Sequence, residues 1–272
     1  LRVSAPCFSL PKAISCCVAR TPTMPIIDTS KDLAALFRQQ VQASPDAVAL
    51  EDDSSTYSYA ELDNKVEALS QHLRTLGVGR DSLVGVLLPR SADYVIACLA
   101  ALRAGGAFLI LELAYPQNLL SDVVDDAKPV VVITRRAEAG KIKGSVPLVL
   151  VDEPLPQAVN GHARDLPPLP ADDDLDRLAF VSYSSGTTGK PKGIANPHRA
   201  AVLSYNLRFA VQDVRPGDRV ACNVFFIWEI LRPLIRGATV VAVPDDVSYD
   251  PAALVDVYSE LARGTVGTTT GP

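Results

Sequence analysis

The chain has 272 residues, 26 basic against 31 acidic side chains, a net charge of −5 and 48% hydrophobic content. This is the composition of a globular protein with room for one large domain or two small ones. It offers no basic surface for nucleic acid or an anionic membrane and no apolar run that would span a bilayer.

Residues 1–23 mix Cys, Pro, Ser and Arg without periodicity and read as a disordered extension ahead of Met24. Asp32 to Ala43 places Leu33, Leu36, Phe37 and Val41 at helical spacing, with Ser30 as the expected N-cap. Ala47 to Glu51 reads as a strand. Ala60 to Leu76 reads as a long amphipathic helix, ended by Gly77 and Gly79. Strands are then expected at Val84–Leu88, Ala107–Leu111, Val130–Thr134 and Pro147–Val151, with helices at Asp93–Ala104 and Gln117–Ala127 between them. The first of these helices, Asp93–Ala104, is apolar nearly all round and therefore buried. Alternating strand and helix predict α/β architecture, with a parallel sheet covered on both faces.

Asp152 to Asp176 carries Pro154, Pro156, Pro167, Pro168 and Pro170, then Asp172, Asp173 and Asp174, and reads as a surface connection with a solvated acidic run. A strand, Leu178–Tyr183, follows. Beyond it the expected elements are a helix at Pro197–Phe209, a strand at Val220–Phe226, a helix at Trp228–Arg236, a strand at Thr239–Val243 and a helix at Pro251–Leu261. The five cysteines, Cys7, Cys16, Cys17, Cys98 and Cys222, are odd in number and lack paired spacing, which argues against a disulfide framework and against a zinc site. Cys98 and Cys222 lie in apolar surroundings as buried thiols, and a reducing, cytoplasmic setting fits. His72 and His162 read as surface residues.

The chemistry is concentrated after Tyr183. Ser184, Ser185, Gly186, Thr187, Thr188 and Gly189 are all small or hydroxylated, and Lys190, Pro191 and Lys192 follow. A strand emptying into such a loop offers backbone N–H groups, hydroxyls and two cations to one point, which suits a polyphosphate. A plain Ser/Thr/Gly turn is the bland alternative. The Walker template fails at both ends: Ser184 stands at its first glycine and Pro191 at its Ser/Thr.

The string from Tyr183 to Gly193 resembles the phosphate loop of the adenylate-forming superfamily: acyl-CoA synthetases, luciferases and the adenylation domains of nonribosomal peptide synthetases. Thr56 to Leu62, and Leu102 to Phe108 followed by Ala114-Tyr115-Pro116, resemble two structural blocks of the peptide synthetases, with Ile110-Leu111-Glu112 where the family shows Pro-Leu-Asp. Residues 24–272 are accordingly similar to a partial AMP-binding domain, the truncated N-terminal large domain of that α/β fold, with parallel sheets flanked by helices.

The resemblance implies ATP-dependent activation of a carboxylic acid as its acyl-adenylate. Ser184, Ser185, Thr187 and Thr188 would supply hydroxyls, Gly186 and Gly189 close backbone approach, and Lys190 and Lys192 charge. His198, in the Asn196-Pro197-His198-Arg199 run, is a structural residue or a contact to substrate or nucleotide. Trp228 to Val241 resembles the block that begins the acyl pocket, and amino-acid-activating members carry an aspartate just before it for the α-ammonium. Val224 stands at that position here. A buried ammonium without a carboxylate is costly, so an ordinary α-amino acid is disfavoured. A keto, hydroxy, aryl or fatty acid fits instead, or a betaine-like acid held by the faces of Phe225, Phe226 and Trp228; these rings are otherwise simply core.

Residues 223–237 resemble the fungal synthetase-like carboxylic acid reductases. The implied cofactors are ATP and Mg2+, with a phosphopantetheine carrier domain and NADPH only where downstream domains exist. The magnesium-binding glutamate, the ribose-binding aspartate and the catalytic lysine of that family are expected beyond position 272. The chain is thus expected to be an enzyme fragment, inactive alone, or else a truncated pseudo-enzyme that only binds nucleotide.

Overall fold

The computed structural model describes residues 26–155, 166, 168–185, 191–222 and 230–264. The expected extension at 1–23 and the stretch 265–272 lie outside them.

The first helix, α1 (Leu33–Ala43), buries Leu33, Leu36 and Phe37. Its N-cap is Asp32, whose carboxylate accepts from the Ala35 N–H at 2.7 Å, and not Ser30. The Ser30 hydroxyl instead donates to Asp28 in a local turn, at 2.6 Å. Strand β1 (Val48–Glu51) pairs antiparallel with β2 (Thr56–Ser58), and α2 (Tyr59–Thr75) follows directly. The Thr56–Leu62 block is the entry to this helix. The Ser58 hydroxyl accepts from the Glu61 N–H at 3.2 Å, and the Glu61 carboxylate accepts from the Ser58 N–H at 2.8 Å. The buried Tyr59 hydroxyl donates to the carbonyls of Leu234 and Ala238, at 2.9 and 2.8 Å.

Next come β3 (Leu83–Leu87), α3 (Ala92–Arg103), β4 (Ala107–Ile110), α4 (Gln117–Ala127), β5 (Val131–Thr134) and β6 (Leu148–Leu150). Then β7 (Leu178–Ser185) and β8 (Pro191–Pro197) form a hairpin, followed by α5 (His198–Val211) and β9 (Arg219–Cys222). The described chain closes with α6 (Leu231–Leu234), β10 (Thr239–Ala242), α7 (Asp245–Ser248) and α8 (Pro251–Gly264).

The strands form two sheets flanked by helices, in agreement with the α/β class expected from sequence. The six-stranded sheet runs β6-β5-β3-β4-β7-β8, parallel except for β7/β8. The four-stranded sheet runs β2-β1-β10-β9, with β1, β10 and β9 parallel. The larger sheet is covered on both faces, and the two-residue period sorts its side chains. Val84, Val86, Phe108, Val131 and Ile133 join the main core with α2 and α3, while Leu87, Leu109, Val132 and Val181 meet α4 on the other side. Helix α3 is buried at every residue but Asp93, as its nearly all-round apolar sequence requires.

The Gly105-Gly106 pair closes α3 against that sheet. Gly105 has φ +89°, and a Cβ on Gly106 would stand 2.8 Å from the Ser82 carbonyl oxygen. Two expected elements run into residues outside the described ones, and one strand is additional. The strand expected at Val220–Phe226 is described only to Cys222, and within the expected Trp228–Arg236 helix, Leu231–Leu234 is helical. Strand β8 has no counterpart among the expected elements.

Candidate active site

The geometry of the site begins with the β7–β8 hairpin. Leu109 of β4 pairs with Val181 of β7, so Ile110, the last residue of β4, is level with Ser182. Tyr183, Ser184 and Ser185 therefore extend past the carboxyl end of the neighbouring strand, paired only with β8. Ligands of open parallel sheets bind in this place, outside the carboxyl ends of the strands. Ser184 lies opposite Lys192 in the register, and both are exposed. Lys192 has no carboxylate partner among the described residues. The other expected phosphate contacts, Gly186, Thr187, Thr188, Gly189 and Lys190, lie outside the described residues, and of Ser185 only the backbone is described. Val224, Phe225, Phe226 and Trp228 also lie outside them. The chain on either side of that segment, Val220 to Cys222 and then Ile230, Arg232 and Pro233, lines a cleft of about 100 Å³ with Val240.

The opposite end of the hairpin is fixed by a buried polar network. Arg177, just before β7, is 2% exposed; it ion-pairs with Asp32 and places Nη1 2.6 Å from His198 Nε2. His198, the first residue of α5, is fully buried, and its Nδ1 lies 3.2 Å from the Leu33 N–H. The His198 N–H donates to the Arg177 carbonyl at 3.1 Å. His198 is thus a structural residue that joins the base of the hairpin to α1; the alternative of a substrate or nucleotide contact is not met. Its imidazole faces N–H donors at both nitrogens, but a neutral ring has one acceptor nitrogen and a protonated ring has none. Burial, and then the neighbouring guanidinium, lower its pKa from the ordinary 6.5 to about 3.

The unfolded chain therefore takes up the His198 proton first. Stability from this group is complete above about pH 6.5 and falls by up to ~1.4 kcal/mol per pH unit below it. Burial lowers His72 in the same direction, and the lowered carboxyls such as Asp52 add losses only at more acid pH. Urea unfolding between pH 6.5 and 4.5 should show this slope in the parent. It should be largely flattened in His198→Gln and retained in His72→Gln; an unchanged slope in His198→Gln would refute the assignment.

A second cluster sits at the carboxyl ends of β3 and β4. Arg90, after β3, ion-pairs with Asp245 of α7; its backbone N–H donates to the same carboxylate at 3.3 Å, and its guanidinium lies 5.8 Å from the centre of the Tyr249 ring. This pair joins the two sheets. Glu112, at the position where Asp is usual in the resembled family, stands in the field of both; its pKa is raised by burial and by Asp245 against the opposing pull of Arg90. No spacing in the sequence links these residues, because Arg90 and Asp245 are separated by 155 positions.

The acidic run is braced more than a solvated loop would be. Asp172 accepts from Arg38 at 2.6 Å, and Asp174 accepts from Arg80 at 2.9 Å. Cys98 is buried, with its thiol pKa pushed up by burial, whereas Cys222 is only half-buried, contrary to expectation. His72 is half-buried, and His162 lies outside the described residues. No described helix is long and apolar enough to cross a membrane.

The AMP-binding enzyme family matches residues 37–270. Glycine betaine reductase ATRR of Emericella nidulans is 77% identical over 236 residues, covering 87% of this chain and 18% of that protein. Tyrocidine synthase 3 of Brevibacillus parabrevis is 34% identical over 233 residues, covering 83% of this chain and 4% of that one. Among solved structures, the nonribosomal peptide synthetase FmoA3 bound to alpha-methyl-L-serine-AMP superposes with a TM-score of 0.73 at 26% identity, over 86% of this chain and 26% of that chain. The same synthetase bound to AMPPNP gives a TM-score of 0.71 at 26% identity, with 86% and 24% coverage. The chain spans less than a fifth of the length of the two named relatives, at 18% and 4%. With the matching family spread over both sheets and the projecting hairpin, the chain belongs to the AMP-binding enzymes, the adenylate-forming ligases that include the adenylation domains of nonribosomal peptide synthetases.

Proposed function

We propose that the chain is the ATP-handling part of an enzyme that activates a carboxylic acid as its acyl-adenylate, and that the acid is a betaine. The observation that carries the first half is the β7–β8 hairpin. It extends Tyr183 to Ser185, and Lys192 opposite them, beyond the carboxyl edge of a parallel sheet; Lys192 has no carboxylate partner among the described residues, and the sequence between the two strands is the Ser/Thr/Gly-rich run.

In the reaction, a carboxylate oxygen of the acid attacks the α-phosphorus of ATP. The new O–P bond forms as the bond to the bridging oxygen breaks, and pyrophosphate leaves. The attacking carboxylate is ionised near neutral pH, so no general base is needed. Lys192 and the Ser184 and Ser185 hydroxyls would stabilise the polyphosphate charge, with Thr187, Thr188, Lys190 and the backbone at Gly186 and Gly189 completing the contacts. Mg2+ would enter with the ATP phosphates, as is usual for a cation that keeps several waters. No group of three or more candidate ligands occurs among the described residues, and none of them is assigned to it.

The choice of acid rests on Val224 and on the name of the relative that is 77% identical. A quaternary ammonium has no N–H to satisfy, and aromatic faces can hold it without a carboxylate. Val224, Phe225 and Trp228 are the proposed pocket residues. A carrier domain bearing phosphopantetheine, and NADPH for reduction of the thioester, belong to the proposal for the whole protein, as does a cytoplasmic setting.

The test is ATP–pyrophosphate exchange by the full-length protein with betaines, keto acids, aryl acids and α-amino acids. Exchange is expected with glycine betaine and not with α-amino acids. Exchange driven by an ordinary α-amino acid would overturn the substrate class and keep the reaction. Silence across the panel in folded protein would overturn the reaction itself and leave a nucleotide-binding pseudo-enzyme.

A further inference from the structure

The projecting end of the hairpin is a two-stranded ribbon, and such a ribbon holds its shape poorly without support. Within the sheet, Tyr183, Ser184 and Ser185 have only the edge strand β8 beside them. The support comes from α4. The Tyr183 hydroxyl donates to Asp126 Oδ2 at 2.6 Å. Its ring packs at the margin of the cluster formed by Leu120, Val123 and Val124 of that helix. It also lies across Gly193, its cross-strand partner: a Cβ on Gly193 would come within 3.1 Å of the ring Cζ and 3.2 Å of the hydroxyl oxygen. Asp126 sits in the last turn of α4, where the helix dipole disfavours a carboxylate, and Lys128 just beyond is left-handed at φ 49°. A negative charge in that place needs a donor, and Tyr183 supplies it.

We propose that Tyr183 and Asp126 are positioning residues for nucleotide binding. Their bond sets the height of Ser184 and Lys192 above the carboxyl edge of the sheet, and Gly193 lets the ring lie flat enough to make it. This role rests on the proposed function, because it concerns the same phosphate site. Neither residue touches substrate. The bond joins elements 57 positions apart and has no signature in the sequence.

The experiment compares Tyr183→Phe, Asp126→Ala and the double variant in the full-length protein. Phenylalanine keeps the ring over Gly193 and removes only the donor. A hydrogen bond to a charged group is worth enough to weaken the KM for ATP about tenfold in each single variant. The double variant should be no worse than either single, and the KM for the acid should stay unchanged. Direct binding of a non-hydrolysable ATP analogue should weaken by the same factor. Amide hydrogen exchange should quicken in peptides covering 183–185 and 191–193 and stay unchanged in β3 and β4.

An unchanged ATP KM in Tyr183→Phe would overturn the proposal. So would losses that multiply in the double variant, or an equal rise in both KM values. A parent protein that binds no ATP analogue would overturn the proposed function and this role together. Parent binding with unaffected variants overturns this role alone.

Discussion

Asp32→Asn is expected to lower the unfolding free energy by about 3–5 kcal/mol, the loss that follows when one partner of a buried ion pair is removed. The substitution isolates the charge. Asparagine keeps a side-chain oxygen for the Ala35 N–H, so the cap of α1 survives. The guanidinium of Arg177, 2% exposed, keeps the imidazole of His198 as its remaining hydrogen-bond partner among the described residues. Its Nε already has no hydrogen-bond partner. Against a typical stability of about 5–15 kcal/mol, such a loss is a large fraction of the whole.

The partner experiment is Arg177→Met, alone and combined with Asp32→Asn. Each single variant strands a buried polar or charged group, whereas the double variant removes both charges. The double should therefore lose less than the sum of the two, and less than Asp32→Asn alone. Urea unfolding measures this. A loss below about 1 kcal/mol in Asp32→Asn would mean that water reaches the pair, contrary to its burial. The network lies at the base of the hairpin, remote from Ser184 and Lys192, so the folded fraction of Asp32→Asn should retain its KM for ATP.

The same network shows where reading the sequence stops. Element type follows local periodicity, and α4 is found at Gln117–Ala127 as expected. The buried character of α3 follows from its composition. Partners do not follow, because they are set by the fold. Asp32 caps α1 in place of Ser30 because Arg177 and the Ala35 N–H meet there, and no spacing announces that meeting. His198 is indistinguishable by sequence from a nucleotide contact until Leu33 and Arg177 are seen against its two ring nitrogens. Which strands share a sheet is hidden for a related reason. Val, Ile and Leu runs announce buried strands, yet nothing in Leu50 says that it will pair with Val240.

Strand β8 fails on its own periodicity. Ile194 is its one large aliphatic side chain and is 50% exposed. Prolines stand at both of its ends, which suits an edge strand and disguises it in sequence. The motif that carries the functional reading was legible because its chemistry is local: hydroxyls, glycines and lysines within one short stretch of sequence. The Tyr183–Asp126 bond beside it was not, since the two residues belong to different elements.

Lys192→Ala is expected to lower kcat/KM for ATP in the exchange reaction by about 100-fold to 1,000-fold. The register places Lys192 opposite Ser184 on the projecting part of the hairpin. It is exposed and has no carboxylate partner among the described residues, so its charge is available to a ligand. The size of the effect depends on how much water remains. A unit charge 4 Å from another is worth about 1 kcal/mol in bulk water and about 4 kcal/mol at the effective dielectric of a protein surface. The first figure is a loss of roughly fivefold and the second roughly a thousandfold. The measured loss therefore reports whether bound ATP displaces water from around the lysine. Lys192→Arg keeps the charge but changes its shape and reach, and should recover part of the loss. The acyl-adenylate supplies the control within the same protein. It has already released pyrophosphate, so a lysine that acts on the polyphosphate should matter little to its binding. Equal weakening of ATP and of the preformed acyl-adenylate by Lys192→Ala would place the lysine elsewhere and remove it from the phosphate site.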